Sequence, residues 1–367
     1  MSGLQSITSY LLFTLCVGGC VPDSELKTSF NMEPAPLNDG WKISTPAAEG
    51  FDEVTLQGIY ELLFSEDEYV TAISLLIVRN DKLVAEGYFR SMDDINIKRQ
   101  IQSVTKSVTS LAFGAARDLG YFNDLDQKLY DIIPEAFDGD LRKREITLRH
   151  LLTMRADLKF WSDEFALELQ VNDQKNVMKY ILAKPLFADP GTMWNYRDCD
   201  PQLLGGAVSV QTGLTLDEIV DERLFGPMGI TDYYWARNAD GDNWASQALF
   251  MRPRDLAKIG KLVLNRGNWQ GEQLISEDWI EQATSIQTPQ YDGQPEDGTD
   301  PFYGFYWWVY PHMGAFTALG AGGQFIFIVP DKNLVIVMTS EPYVEDEFSL
   351  ESDFFNLAPM IINSIIE

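Results

Sequence analysis

Apolar residues recur at helical spacing from Phe51 to Phe64, after which the period changes. Ala72–Val78 and Leu83–Phe89 are nearly continuous apolar runs on either side of the polar turn Arg79-Asn80-Asp81-Lys82. The pattern predicts a helix followed by a β-hairpin. Ser103–Leu119 is apolar along one face and reads as a second helix. From about Leu125 to Ala245 the runs Ile146–Met154, Val177–Leu182, Pro201–Thr212 and Leu216–Leu224 have helical character, separated by Pro/Gly turns, with few strands visible. Beyond Arg252-Pro253 come helices over Arg254–Asn265 and Glu277–Thr284. Strand-like runs follow at Tyr303–Tyr310, Phe316–Leu319, Phe325–Val329 and Leu334–Thr339, then a last helix near Ser352–Ile366. Strands thus cluster at both ends of the chain. This predicts an α/β (α+β) fold: one antiparallel sheet built from about 47–125 and 245–367, flanked by helices, with a helical region over about 126–244 inserted.

Composition narrows what such a fold can do. With 45% apolar and 12% aromatic residues in 367, the chain can bury a large core. A formal net charge of −27 excludes nucleic acid as a partner, since phosphate backbones recruit Lys/Arg stripes that are missing here. The run Tyr10–Gly19 is too short to span a bilayer and has the length of a signal-peptide core. It ends in Val17-Gly18-Gly19-Cys20, which resembles the site where bacterial lipoproteins are cleaved and lipidated on cysteine. Residues 1–20 therefore read as a signal, Cys20 as a lipidation site and 21–46 as a tether. The expected location is the periplasm or outer membrane, with secretion as the alternative. The absence of Lys or Arg before Lys27 departs from the usual positive start of a signal. Cys199 alone would remain in the mature domain as an unmodified thiol, so no disulfide framework is available, and this residue reads as a small buried side chain.

The candidate chemistry begins by elimination. His150 and His312 are the only histidines. The first lies in an amphipathic helix and the second in the turn Pro311-His312-Met313-Gly314. There is no Gly-x-Ser-x-Gly elbow for a serine–histidine hydrolase. No cluster has metal-ligand spacing, and neither a metal nor a cofactor is expected. Another nucleophile stands out in Gln102-Ser103-Val104-Thr105-Lys106-Ser107, where serine and lysine three apart share one face at the start of a helix. A serine hydroxyl needs its proton removed before it attacks. A desolvated lysine near the positive end of the helix dipole reads as a neutral amine able to remove it. Spacing alone does not establish this, because Ser24-Glu25-Leu26-Lys27 has it too, within the tether.

Two further segments supply context. Ser103-Val104-Thr105-Lys106 resembles the Ser-x-x-Lys motif of penicillin-binding proteins and serine β-lactamases. Pro190-Gly191-Thr192-Met193-Trp194-Asn195-Tyr196-Arg197-Asp198, followed by Gln202-Leu203-Leu204-Gly205, is similar to the tyrosine-bearing stretch of class C β-lactamases and their esterase relatives. Ile146–Met154 resembles a helix of the same proteins, which makes His150 structural. The resemblance implies a β-lactamase/transpeptidase-like fold and an acyl-serine mechanism, with Ser103 as nucleophile and Lys106 and Tyr196 handling its proton. It also implies an oxyanion hole from the backbone N–H groups of Ser103 and Ala321, and substrate-binding positions at Asp198, Gly320 and Gly322. The sequence departs from the family in two places. Ala318 stands where a lysine or histidine of the third motif would meet a substrate carboxylate, and Asp198 replaces an asparagine. Gly320-Ala321-Gly322-Gly323-Gln324 looks most like 6-aminohexanoate-oligomer hydrolases and related carboxylesterases. The expected substrate is therefore a small or short-peptide ester or amide. The alternatives are a β-lactamase or D,D-carboxypeptidase, or a non-catalytic envelope protein that kept the fold. Trp194, Trp307 and Trp308 could line the substrate site or belong to the core.

Overall fold

Strand-forming sequence from the two ends of the chain meets in one sheet because neither end can bury its apolar strands alone. The computed structural model describes residues 31–65, 69–159, 175–288, 301–341 and 347–366. The predicted signal over 1–20, Cys20 and the first part of the tether lie outside them. In chain order the elements begin with α1 (Glu53–Ser65), β1 (Ala72–Arg79), β2 (Lys82–Tyr88), β3 (Arg99–Gln100) and α2 (Val104–Asp118). The central part holds α3 (Leu148–Leu152), α4 (Val177–Leu182), α5 (Cys199–Thr212), α6 (Leu216–Val220), β4 (Tyr234–Trp235) and β5 (Leu249–Met251). Then come α7 (Pro253–Leu264), β6 (Asn268–Trp269), β7 (Glu272–Gln273), α8 (Glu277–Thr284), β8 (Phe302–Tyr303) and β9 (Trp308–Tyr310). The last elements are β10 (Ala315–Gly320), β11 (Gln324–Val329), β12 (Leu334–Ser340) and α9 (Glu347–Asn363).

The main sheet has seven strands in the order β2-β1-β12-β11-β10-β9-β8, every neighbouring pair antiparallel. The N-terminal hairpin is stitched to the C-terminal strands by the β1–β12 ladder, with Leu76 opposite Val337 and Ile77 opposite Ile336. Side chains alternate between faces. Leu75, Ile77, Phe325, Phe327, Ile336 and Met338 pack with Leu56 and Ile59 of α1 and Phe354 and Leu357 of α9. Leu76, Val78, Ile326, Ile328, Val335 and Val337 pack with Val108 and Leu111 of α2 and Leu256 and Ile259 of α7. Both faces are covered, which explains why these strands read as continuous apolar runs without alternation. Gly260 lets α7 sit directly on the sheet: a Cβ there would lie 2.4 Å from Val335 Cγ1.

The helical region does not form a core of its own. Leu148, Leu151, Leu203, Leu204, Ala207, Leu216 and Ile219 belong to the same cluster as the inner face of the sheet, joined through α2. That helix is buried from Val104 to Ala116, so its N-terminus is held on every side. Three local readings change. The expected strand over Tyr303–Tyr310 is two short strands separated by Gly304–Trp307, where Tyr306 takes a φ of 65°. The Leu216–Leu224 helix gives way after Val220 to a widened π-type turn over Asp221–Phe225. A small ribbon, β3-β5-β4, was not expected, because strands of two or three residues leave no periodicity to read.

Candidate active site

Ser103 stands at the N-cap of α2, half-buried, directly after Gln102, whose φ of 49° is unusual for a residue with a side chain. The turn is pinned by the Ile101 N–H donating to Leu249 O at 2.9 Å and by the Val104 N–H donating to Ile101 O at 3.1 Å. A serine in this position ordinarily caps its helix with its own oxygen. Here the Ser103 side chain makes no cap and instead accepts a hydrogen bond from Lys106 Nζ at 2.7 Å. The following turns of α2 are fixed through hydroxyls: Ser107 Oγ donates to Tyr306 O at 2.6 Å and Thr109 Oγ1 to Ala245 O at 2.8 Å.

Lys106 has no exposed surface. Besides Ser103, its ammonium reaches Ser246 O at 3.1 Å and Asp198 Oδ1 at 2.7 Å, and it lies 4.8 Å from the centre of the Tyr196 ring. Burial pushes its pKa down. Asp198 and the phenol of Tyr196, which is also a hydrogen-bonding partner, outweigh burial and leave the pKa above the ordinary lysine value. The expectation of a neutral amine is thereby corrected. Ser103, Ser246 and Asp198 all stand within hydrogen-bond distance of the nitrogen, and a carboxylate at contact distance favours its protonated form. Asp198, read from the sequence as a substrate-binding position, has one oxygen paired with Lys106 and keeps part of its side chain exposed.

Tyr196 arrives from the helical region, stacked on Trp308 with ring centroids 5.5 Å apart and edge-on to Tyr303 at 6.1 Å. Trp194 packs edge-on against the same two rings. Trp194 and Trp308 are partly exposed beside Tyr196, whereas Trp307 is fully buried in the core. The segment carrying Tyr196 is braced from behind by residues the sequence reading passed over. Asp157 Oδ2 accepts the N–H groups of Thr192 at 3.2 Å and Met193 at 3.3 Å, and the Asn195 N–H donates to Met154 O at 3.0 Å. Asp200 Oδ2 accepts the Ala156 N–H at 3.1 Å, and Arg197 donates to Leu158 O. Burial raises the pKa of Asp200 to about 6 despite the nearby Arg197. His150 fits its structural reading: it takes part in the cap of α3, and a Cβ on Gly191 would lie 2.5 Å from its Nε2. Cys199 is buried, its thiol pKa pushed well up by desolvation and by Asp200, which makes it a poor nucleophile. His312 lies exposed in the short turn Pro311–Met313.

The third segment comes from the end of β10. A Cβ on Gly320 would lie 2.5 Å from Ile101 O and 3.0 Å from Gln102 Cβ, so only glycine lets this strand end meet the Ser103 turn. Gly322 and Gly323 have φ of 74° and 89°. Gln324, buried opposite Gly320, donates from Nε2 to Ser340 O at 2.7 Å, and Ser340 Oγ donates to Gly322 O. Gly320 and Gly322, read as substrate contacts, are thus accounted for by close packing and by this internal bond. Ala321 is left exposed between them. Ala318 is fully buried, and no charged group stands at its position. Gln324 was legible only as the last letter of a motif; its bracing role appears once β12 lies beside it.

Comparison with known proteins agrees with this architecture. A family model described as Beta-lactamase matches residues 63–350, and the chain belongs to that family. It is 24% identical over 299 residues to a 6-aminohexanoate-dimer hydrolase of Paenarthrobacter ureafaciens, covering 73% of this chain and 72% of the relative. Its fold matches a solved structure described as a putative 6-aminohexanoate-dimer hydrolase from Bacillus anthracis, with TM-score 0.70 and 21% identity over 92% of this chain and 90% of the other. A family VIII carboxylesterase matches with TM-score 0.68 and 16% identity, over 92% of this chain and 100% of the other. The fold is that of the β-lactamases and transpeptidases, and members of this family are serine hydrolases.

Proposed function

We propose that this chain is a serine hydrolase that cleaves an ester or simple amide through an acyl-serine intermediate. The observation that carries the reading is the 2.7 Å bond from a buried lysine to the oxygen of a half-buried, non-capping serine. Ser103 Oγ attacks the substrate carbonyl. In one exchange Tyr196 takes up the Ser103 proton and delivers its own to the departing alkoxide or amine, while the Lys106 ammonium steadies negative charge on Oγ. Water then releases the acyl group by the same route in reverse. The N–H groups of Ser103 and Ala321 serve as the oxyanion hole, a reading supported by the close approach of Gly320 to Ile101 O and Gln102 Cβ, which leaves no room for a side chain there. Esters and simple amides rank above β-lactams and D-alanyl peptides, because Ala318 offers no cation to a substrate carboxylate. The similarity to an aminohexanoate-dimer hydrolase and to a carboxylesterase supports the same ranking.

The test is covalent labelling with a fluorophosphonate probe, followed by turnover of p-nitrophenyl esters and a chromogenic cephalosporin. The wild-type protein is expected to be labelled, Ser103→Ala not, and the esters to be hydrolysed faster than the cephalosporin. A wild-type protein that resists labelling would return the chain to the class of non-catalytic binding proteins. Faster turnover of the cephalosporin would reverse the ranking.

A further inference from the structure

The charge that a substrate meets in this site is set by an unequal burial. Lys106 has 0% of its side chain exposed, whereas Asp198, 2.7 Å away, keeps 14%. The cation is sealed behind Ser103, Ser246 and Asp198, so an approaching molecule encounters the anionic member of the pair. The neighbouring cation, Arg197, is buried and directed at the carbonyl of Leu158. Ala318 adds no compensating positive group. An uncharged side chain at position 198 would leave the lysine as the dominant charge beside the nucleophile; aspartate reverses the sign of what is exposed. Charges a few ångströms apart in a partly desolvated site discriminate strongly between substrates of opposite sign.

Resting on the hydrolase reading above, we infer that Asp198 is a specificity-determining residue, which selects esters and amides that are neutral or cationic near the scissile carbonyl and rejects those that are anionic there. The lysine–aspartate pair keeps Lys106 occupied while the exposed part of the carboxylate repels a substrate anion and attracts an ammonium group.

Three p-nitrophenyl esters of equal acyl length, ending in a methyl, an ammonium or a carboxylate group, test the inference. Wild-type kcat/KM is expected to be at least tenfold higher for the methyl and ammonium esters than for the carboxylate ester. Asp198→Asn is expected to reduce the ammonium-to-carboxylate ratio at least tenfold. Asp198→Ser serves if the asparagine variant does not fold, as judged by circular dichroism. Should turnover in a variant fall below detection, labelling rates by fluorophosphonates with an ammonium or a carboxylate tail read the same ratio. An unchanged ratio in variants still labelled at Ser103 overturns the role of Asp198 and leaves the hydrolase reading standing. Failure of the wild-type protein to be labelled at all overturns that reading instead.

Discussion

Two side chains and a backbone carbonyl, from three stretches of sequence, share one ammonium group, and the proposed chemistry of the site turns on how that group is held. Lys106 donates to Ser103, Asp198 and Ser246, so in the proposed mechanism it orients the nucleophile as an ammonium and is not the group that receives the proton. In the proposed mechanism proton transfer falls to Tyr196, whose ring is fixed against Trp308 and Tyr303. Tyr196→Phe keeps those ring contacts and removes only the hydroxyl. It is expected to lower kcat about 100-fold or more, within the usual range for a lost proton-transfer group, with KM for an ester changed far less. Steady-state kinetics on a p-nitrophenyl ester check this, and an unchanged kcat would remove Tyr196 from the mechanism. At this scale Ser103, Lys106 and Tyr196 were legible from motif and spacing. The protonation of Lys106 was not, because it depends on a carboxylate ninety-two positions away, and no local pattern reports that distance.

At the scale of elements, the site is a junction of the start of α2, the segment before α5 and the end of β10. Each joint depends on a small residue or a buried carboxylate: Gly320 against Ile101, Gly191 against His150, Asp157 beneath Thr192 and Met193. Gly320→Ala forces a Cβ to 2.5 Å from a backbone oxygen that cannot swing aside as a side chain would. The strand or the nucleophile turn must shift. Expected is a loss of about 1–3 kcal/mol in stability, the usual range for overpacking, together with a clear fall in kcat. Thermal unfolding and ester hydrolysis measure the two effects, and a variant with wild-type values for both would show that the junction is looser than described. The long helices were legible from their apolar period, and the strands β10–β12 from apolar runs bounded by turn residues. The two-residue strands and the break between β8 and β9 were not, since their form is imposed by neighbours and not by local pattern.

For the whole molecule, folding places an acid where water cannot reach it. Burial raises the pKa of Asp200 from the usual 3.8 to about 6. The sign follows from which form is penalised. Well below the unfolded pKa of 3.8 the group is neutral in both the folded and unfolded states, and its burial costs no desolvation of a carboxylate. As pH rises through about 6 the unfolded chain has already ionised, so the folded state loses stability relative to it. At about 1.4 kcal/mol per pKa unit, the loss across this window approaches 3 kcal/mol. Asp200→Asn removes this dependence. In urea unfolding between pH 4 and pH 7, wild type is expected to lose up to about 3 kcal/mol relative to the variant. A difference that stays constant with pH would mean that Asp200 is ionised throughout.

The sequence by itself determined the sheet-forming ends, the helical middle and the motifs that carry Ser103, Lys106 and Tyr196, for which acyl transfer is the proposed chemistry. Those features are carried by periodicity and by short motifs, which are local properties of the chain. Only the tertiary structure decided that Asp198 pairs with Lys106, that Gln324 and Ser340 brace the glycine turn, and that Asp157 and Asp200 support the tyrosine segment. Each is a contact between residues far apart in sequence, and it exists because both faces of the sheet and every side of α2 are packed tightly enough to leave one arrangement.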